Sequence, residues 1–451
     1  MYPKMTPLSL AAIFLLLTLS LLSITSSSIT LPLTPLSTTH THALKLAVSA
    51  TLTRSRHLKK IHLHPPPPPL NTPLHPKSYG GYSIDLNVGT PPQPFPFLLD
   101  TASTLLWLPC SSHYLCSKCS NTLSKPFIPA NSSSSKLLGC TNPKCTWLFG
   151  PNVESHCCKQ NNNCSSQTCP AYTIQYGLGS TAGFLLSENL NFPEKIIRDF
   201  LLGCSLVSIH QPAGIAGFGR GPESLPSQMN LTRFSYCLLS HTFNDSPSKT
   251  SNLIMETTPS KGTKTNAVTY TPFSKNENAA FGAYYYVTLR RIFVGGKRVR
   301  VPRRLLETDI GGNGGFIVDS GSTFTFMERP IYDMVAREFR RQVNYTRAAE
   351  VEARSGLGPC FVVPFLGGGG TMSFPELRFE FRGGAKMRLP VANYFSLVGE
   401  SDVACLTVVS DDVAGGPAVI LGNYQQQNFY VEYDLENQRF GFRSQSCETS
   451  L

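Results

Sequence analysis

A chain of 451 residues, 41% hydrophobic and only 15% charged, can bury a large core unaided, and its 35 Gly and 35 Pro suit a turn-rich β protein better than a helical bundle. The formal charge of +11 points at first to nucleic acid or a membrane surface. However, seven of the 39 basic residues and none of the 28 acidic ones lie in residues 1–77, so the remainder is 32 basic against 28 acidic, an ordinary solvated surface with no nucleic-acid partner expected.

Residues 8–22 are almost continuously apolar behind Lys4 and are followed by a Ser/Thr stretch. The run is short for a spanning helix and reads as a secretory signal over 1–28. No second long apolar run follows, so stable membrane insertion is not expected. The chain is expected to be secreted, to a wall or extracellular space or else to a vacuole. Residues 29–77 show little core-forming pattern and hold six of the ten His, several cations and the run Pro65–Pro69. They are read as a propeptide ending in an extended proline spacer. The competing reading is a plain tail.

From Gly81 the texture changes. Short apolar runs alternate with turn signals to the end of the chain, predicting an N-terminal lobe over 78–243, a linker or exposed loop over 244–265 and a C-terminal lobe over 266–451. The clearest helix is predicted at 330–342, where Ile331, Met334, Val335 and Phe339 share one face behind Pro330. Gly367–Gly370 lacks the Lys-Ser/Thr of a phosphate cradle and is read as a surface loop.

Fourteen cysteines, nine of them between Cys110 and Cys169, read as a disulfide framework in an oxidising compartment. The rival for Cys116 and Cys119, a zinc site, lacks the second ligand pair it would need. No metal or cofactor is expected. Five sequons, at Asn131, Asn163, Asn230, Asn244 and Asn344, suit a glycoprotein.

The most specific signal is an internal repeat. Leu98-Leu99-Asp100-Thr101-Ala102-Ser103 returns 219 residues later as Ile317-Val318-Asp319-Ser320-Gly321-Ser322, and an apolar-apolar-Gly element follows each copy, at 214–219 and 419–422. A single Asp-Thr/Ser-Gly tripeptide is usually a turn. Two matched copies imply paired lobes that bring two buried carboxylates together. Two such groups cannot both ionise cheaply, so one holds a proton while the other is a base for a water that attacks a peptide carbonyl. The Ser103 and Ser322 hydroxyls are placed to bond the outer carboxylate oxygens.

With these motifs, GTPPQ at 89–93, DTASTLLWLPC at 100–110, YTIQYGLGSTAG at 172–183 and ILGN at 420–423, the chain resembles the pepsin-like aspartic proteases of the plant nepenthesin-like branch. The resemblance implies an all-β, bilobal pepsin-like acid protease fold with pseudo-twofold related lobes, and a monomeric endopeptidase acting on polypeptides. It maps the catalytic pair onto Asp100 and Asp319, with Gly321 beside the second. The flap becomes Tyr176-Gly177, with Trp107 bonding the flap tyrosine. It also implies disulfides Cys237–Cys447, Cys360–Cys405 and Cys119–Cys204, with Cys157 and Cys158 unassigned. Two positions depart from the family pattern: Ala102, where the family usually has Gly, and Leu178 in the flap. The rival reading is a protein of this fold that binds or inhibits without cutting, and no serine- or cysteine-hydrolase signature is visible.

Overall fold

A computed structural model describes residues 28–35, 43–58, 80–119, 125–153, 167–177, 179–193, 195–211, 213–240, 251–257, 268–363, 373–398, 402–413 and 415–447. The expected signal peptide, the Pro65–Pro69 spacer, the Gly367–Gly370 loop, Leu178, Cys157, Cys158, Asn163 and Asn244 lie outside them, the signal except for its final Ser28.

The described chain is strand-rich with few helices and has the bilobal, pepsin-like architecture. Its spine is an antiparallel sheet in the order Ser28–Pro35, Ser251–Glu256, Arg233–Cys237, Phe429–Asp434, Arg439–Ser444 and Thr269–Ser274, joining the first half of the chain to the last. On it stack Phe234 and Tyr433, with ring centroids 4.4 Å apart. Period-two alternation drives each strand: in Ser251–Glu256, Ser251, Leu253 and Met255 are buried. That strand lies within 244–265, so the expected exposed loop is corrected. Its few large apolar residues are spaced to bury one face.

The segment read as a propeptide, called the leader below, holds a strand and a helix among its described residues that its composition did not suggest. Ser28–Pro35 forms the edge strand of the spine, and Ala43–Leu58 forms a 16-residue helix. Ala47, Val48, Thr51, Arg54, Ser55 and Leu58 are buried on one helical stripe. Half of that stripe is polar, which hid it from a hydrophobicity pattern. Its apolar members pack with Phe324, Phe326, Val351 and Leu357 of the C-terminal lobe.

The predicted helix appears as Arg329–Gln342, burying Ile331, Val335 and Phe339. Disulfides Cys237–Cys447 and Cys360–Cys405 are formed. The third expected pair is corrected: Cys204 joins Cys110, and Cys119 joins Cys116. The reason is sheet register. Trp107–Pro109 runs parallel to Lys195–Ile209 with Leu108 opposite Cys204, and the Cys110 N–H donates to the Ser205 carbonyl at 2.9 Å, which leaves Cys119 its near neighbour. The two cysteines of the CxxC are therefore paired with each other.

Candidate active site

The two repeat copies fold alike. Strand Gln93–Asp100 runs parallel to Gly214–Gly217, and strand Phe316–Val318 runs parallel to Val419–Leu421. After each strand the chain turns at its Asp. The Phe218 N–H donates to the Asp100 carbonyl at 2.7 Å, and the Asp319 N–H donates to the Leu421 carbonyl at 3.0 Å. The apolar-apolar-Gly elements are thus the parallel partners that fix each Asp loop.

The loops then lock to each other. Thr101 N–H donates to Ser320 Oγ at 3.1 Å and Ser320 N–H donates to Thr101 Oγ1 at 2.9 Å. Thr101 Oγ1 also donates to the Val318 carbonyl at 3.3 Å, and Ser320 Oγ to the Leu99 carbonyl at 2.9 Å. This reciprocal network is why each Asp must be followed by a small hydroxyl residue. It brings the two carboxylates to one point, where both are fully buried.

Within each loop the backbone also reaches the carboxylate. Ala102 N–H donates to Asp100 Oδ1 at 2.9 Å and Gly321 N–H donates to Asp319 Oδ1 at 2.8 Å. The serines differ. Ser322 Oγ donates to Asp319 Oδ2 at 2.6 Å, whereas Ser103 Oγ and Asp100 Oδ2 are both buried without a hydrogen-bond partner among the described residues. Ser103 still faces Asp100 and lowers its pKa, so the two serines answer their carboxylates unequally.

Above the pair lies the hairpin Tyr172–Tyr176 with Gly179–Phe192. Trp107 Nε1 donates to the Tyr176 phenolic oxygen, Oη, at 2.6 Å. Burial, and then the negative Asp100 nearby, push the Tyr176 phenol well above its usual range, so it stays protonated.

Between the hairpin and the carboxylates sits Arg54 of the leader helix. Its Nη2 is 2.5 Å from Asp100 Oδ1 and 3.2 Å from Asp319 Oδ1, and its Nε is 2.6 Å from Asp319 Oδ2. A Cβ on Gly177 would lie 2.2 Å from the Arg54 Cα, so only Gly there lets the helix backbone pass. Thr51 Oγ1 accepts the Phe324 N–H at 3.0 Å, and Arg56 Nε pairs with Asp411 Oδ2 at 2.6 Å. Burial alone would lower the Arg54 pKa, but the two carboxylates overturn that and raise it. Burial lifts Asp100 above the ordinary aspartate range, the Arg54 charge pulls it back, and the Asp319 charge pushes it up again.

Sequence reasoning read the cation-bearing segment 29–77 as a propeptide. It did not single out Arg54, whose only signal was its position on the stripe with Ala47, Thr51 and Leu58.

Two carboxylates presented by interlocked twin loops beneath a tyrosine-tipped hairpin define the pepsin-like class. Comparison with known proteins agrees. Residues 82–255 match the family model described as xylanase inhibitor N-terminal, and residues 284–444 match xylanase inhibitor C-terminal. The chain is 32% identical over 417 residues to a probable aspartyl protease of Arabidopsis thaliana, covering 81% of this chain and 82% of that one. It is 33% identical over 379 residues to aspartic proteinase nepenthesin-1 of Nepenthes gracilis, covering 82% and 79%. The chain belongs to the plant pepsin-like aspartic protease family. Among solved structures its fold is similar to edgp (TM-score 0.66, 20% identity, 94% of this chain and 96% of that one). It is also similar to basic 7S globulin from soybean (TM-score 0.61, 17% identity, 94% and 99%).

Proposed function

We propose that the protein is a secreted aspartic endopeptidase made as a latent precursor, with Asp100 and Asp319 as its acid–base pair and Arg54 as the plug. The observation that carries this reading is the shared grip on Arg54: one guanidinium nitrogen bonds both carboxylates, so both face the same point. With Arg54 withdrawn, two buried carboxylates so close would share one proton. The ionised member would take a proton from a water attacking the peptide carbonyl, while the protonated member would donate to the developing oxyanion. Tyr176 and Gly177 would then cover the extended peptide in place of the leader helix.

The plug gives the pH dependence its sign. Arg54 favours the ionised pair, and its charge lowers the Asp100 pKa, so Asp100 titrates lower with the plug in than with it out. Its hold is therefore present above the open-state pKa and is lost as pH falls through the plugged-state value. Asp100 stands above the ordinary aspartate value of 3.8 even beside Arg54, so the hold on it would be lost at a pH above that value.

A second reading, a pepsin-fold protein that binds or inhibits without cutting, is favoured by the family models' descriptions and by the globulin name of a structural neighbour. Both carboxylates are present, which supports the enzyme. The test is to hold purified full-length protein at neutral or mildly acid pH with a denatured protein, with and without a statine-type inhibitor. Inhibitor-sensitive cleavage after acidification is expected. Its absence at every acid pH would leave the binding reading.

A further inference from the structure

Away from the cleft, the outer face of the C-terminal lobe carries an unusual concentration of cations. Seven Lys/Arg fall within 290–304, and no Asp or Glu occurs between Glu277 and Glu307. By contrast the whole of 78–243 holds nine basic and seven acidic residues. The modest net charge of the two lobes thus conceals a local excess.

The fold gathers these cations on a four-stranded antiparallel sheet ordered Lys297–Val299, Leu289–Val294, Leu377–Phe381 and Lys386–Leu389. Register places Arg298 opposite Phe293, Phe293 opposite Arg378, and Arg378 opposite Arg388, one outward row across all four strands. The next row on that face is Arg291, Glu380 and Lys386. An irregularity between Leu289 and Arg291 leaves Arg290 and Arg291 both exposed. Arg290, Arg291, Arg298, Arg303, Arg382 and Lys386 line a cavity of about 770 Å³ together with Phe293, and Arg378 and Arg388 continue the row outside it. Arg378 stacks on the Phe293 ring at 4.2 Å.

Folding gains little from this arrangement. Like charges directly opposite on a sheet destabilise it, and exposed ion pairs return almost nothing. Two carboxylates serve four of the cations: Glu380 pairs with Arg291, Arg378 and Lys386 at 3.3, 3.4 and 4.0 Å, and Glu376 pairs with Arg378 and Arg388 at 3.5 and 3.9 Å. Arg298, Arg300 and Arg382 pair with no carboxylate among the described residues, and Arg378 Nε is buried without a hydrogen-bond partner there. A surface that is costly to the fold and offers guanidinium forks in a row is suited to an anion from outside.

We propose that this face docks a linear carboxylated polysaccharide, a polyuronate. Guanidinium forks match carboxylates in two-point contacts. Cations repeating on strands about 4.8 Å apart suit a chain of regularly spaced charges better than a single small anion. The Phe293–Arg378 stack offers a flat platform for a sugar ring. Disulfide-bonded folds persist in oxidising compartments, where matrix polysaccharides and not nucleic acids are the polyanions encountered.

The test measures binding of full-length protein to immobilised polygalacturonate, to the same polymer fully methyl-esterified, to heparin and to duplex DNA, over a range of salt. Binding to polygalacturonate that weakens steeply with salt, and little to the esterified polymer, is expected. The variant Arg298→Gln/Arg388→Gln should weaken it at least about tenfold, as loss of two such contacts implies. Lys136→Gln/Lys195→Gln on the other lobe should not. Circular dichroism and intact disulfides check that each variant is folded, and Arg300→Gln/Arg382→Gln gives a second pair should the first fail that check. Equal binding to the esterified polymer, preference for heparin or DNA, or indifference to the Arg substitutions would overturn the proposal. Since the readout is binding, its failure is separate from that of the protease reading.

Discussion

The two Asp loops are copies in backbone and hydrogen bonding, yet their surroundings differ. Asp319 has both oxygens engaged: Ser322 and Arg54 Nε bond Oδ2, and Gly321 N–H and Arg54 Nη2 bond Oδ1. Asp100 has only Oδ1 engaged, by Ala102 N–H and Arg54. At the residue after the hydroxyl, the first loop tolerates a methyl group and the second does not. A Cβ on Gly321 would sit 2.7 Å from Asp100 Cγ and 2.9 Å from Arg54 Nη2. Near-symmetry thus delivers two like groups, and small local differences let them act unlike each other.

The largest expected effect tests whether both loops are needed. Asp100→Asn and Asp319→Asn should each lower acid-activated cleavage on the order of 10⁴-fold, the scale of removing a group that acts in the chemistry. Thermal unfolding of the mature fold should change little. Near wild-type, inhibitor-sensitive turnover in either variant would end the paired-carboxylate assignment.

The plug holds the loops unequally, which Arg54→Gln can expose. The neutral amide cannot pair with ionised carboxylates, so this precursor should lose its latency near neutral pH. Its activity at acid pH should match wild type once the leader is gone. Asp319→Asn, which removes the carboxylate making two of the three contacts to Arg54, should loosen the leader more than Asp100→Asn. Protease susceptibility of the 43–58 segment measures that difference, and the reverse order would contradict it.

A third substitution turns to the crowded side of the comparison. Gly321→Ala must push its new methyl into the Asp100 carboxylate or move one loop against the Thr101–Ser320 lock. Misplacing reacting groups by about 1 Å costs on the order of 100-fold, so kcat/KM should fall by about that factor. A drop of less than threefold would mean that the carboxylates shift freely, contrary to the buried network.

How much of this was legible in the sequence depended on whether a feature is local. Each Asp motif sits in one short stretch, strand then Asp then small residues, and the repeat doubled the signal. The long-range disulfide Cys237–Cys447 followed from the resemblance. The choice between Cys110 and Cys119 for Cys204 depended on the parallel register of two strands, which no local pattern records. The leader helix was illegible for another reason. Thr51 and Arg54 are core residues only because Phe324, Asp100 and Asp319 answer them from more than 40 residues away. Likewise, counting charge found an ordinary surface because opposite signs cancel over a lobe, while the sheet placed Arg298, Arg378 and Arg388 in one row.

The smallest expected effect concerns Ala102, the visible departure from the family pattern. Its backbone φ is not among the positive values of the chain, so Ala meets no conformational penalty there. Its N–H keeps the 2.9 Å bond to Asp100 Oδ1. Its methyl is nearly buried in the cluster that includes Ala47, Phe281 and Tyr284. Ala47 belongs to the proposed propeptide, so on the release proposed above part of that packing would be lost and the methyl would border the proposed peptide-binding cleft. Ala102→Gly should therefore change kcat/KM of the activated protein by no more than about tenfold, roughly 1.4 kcal/mol of barrier. It should also weaken leader retention slightly, seen as release at a somewhat higher pH. A protein inert as found that becomes a robust protease on Ala102→Gly would reverse the comparison, making the first loop, with its methyl, the one that cannot work.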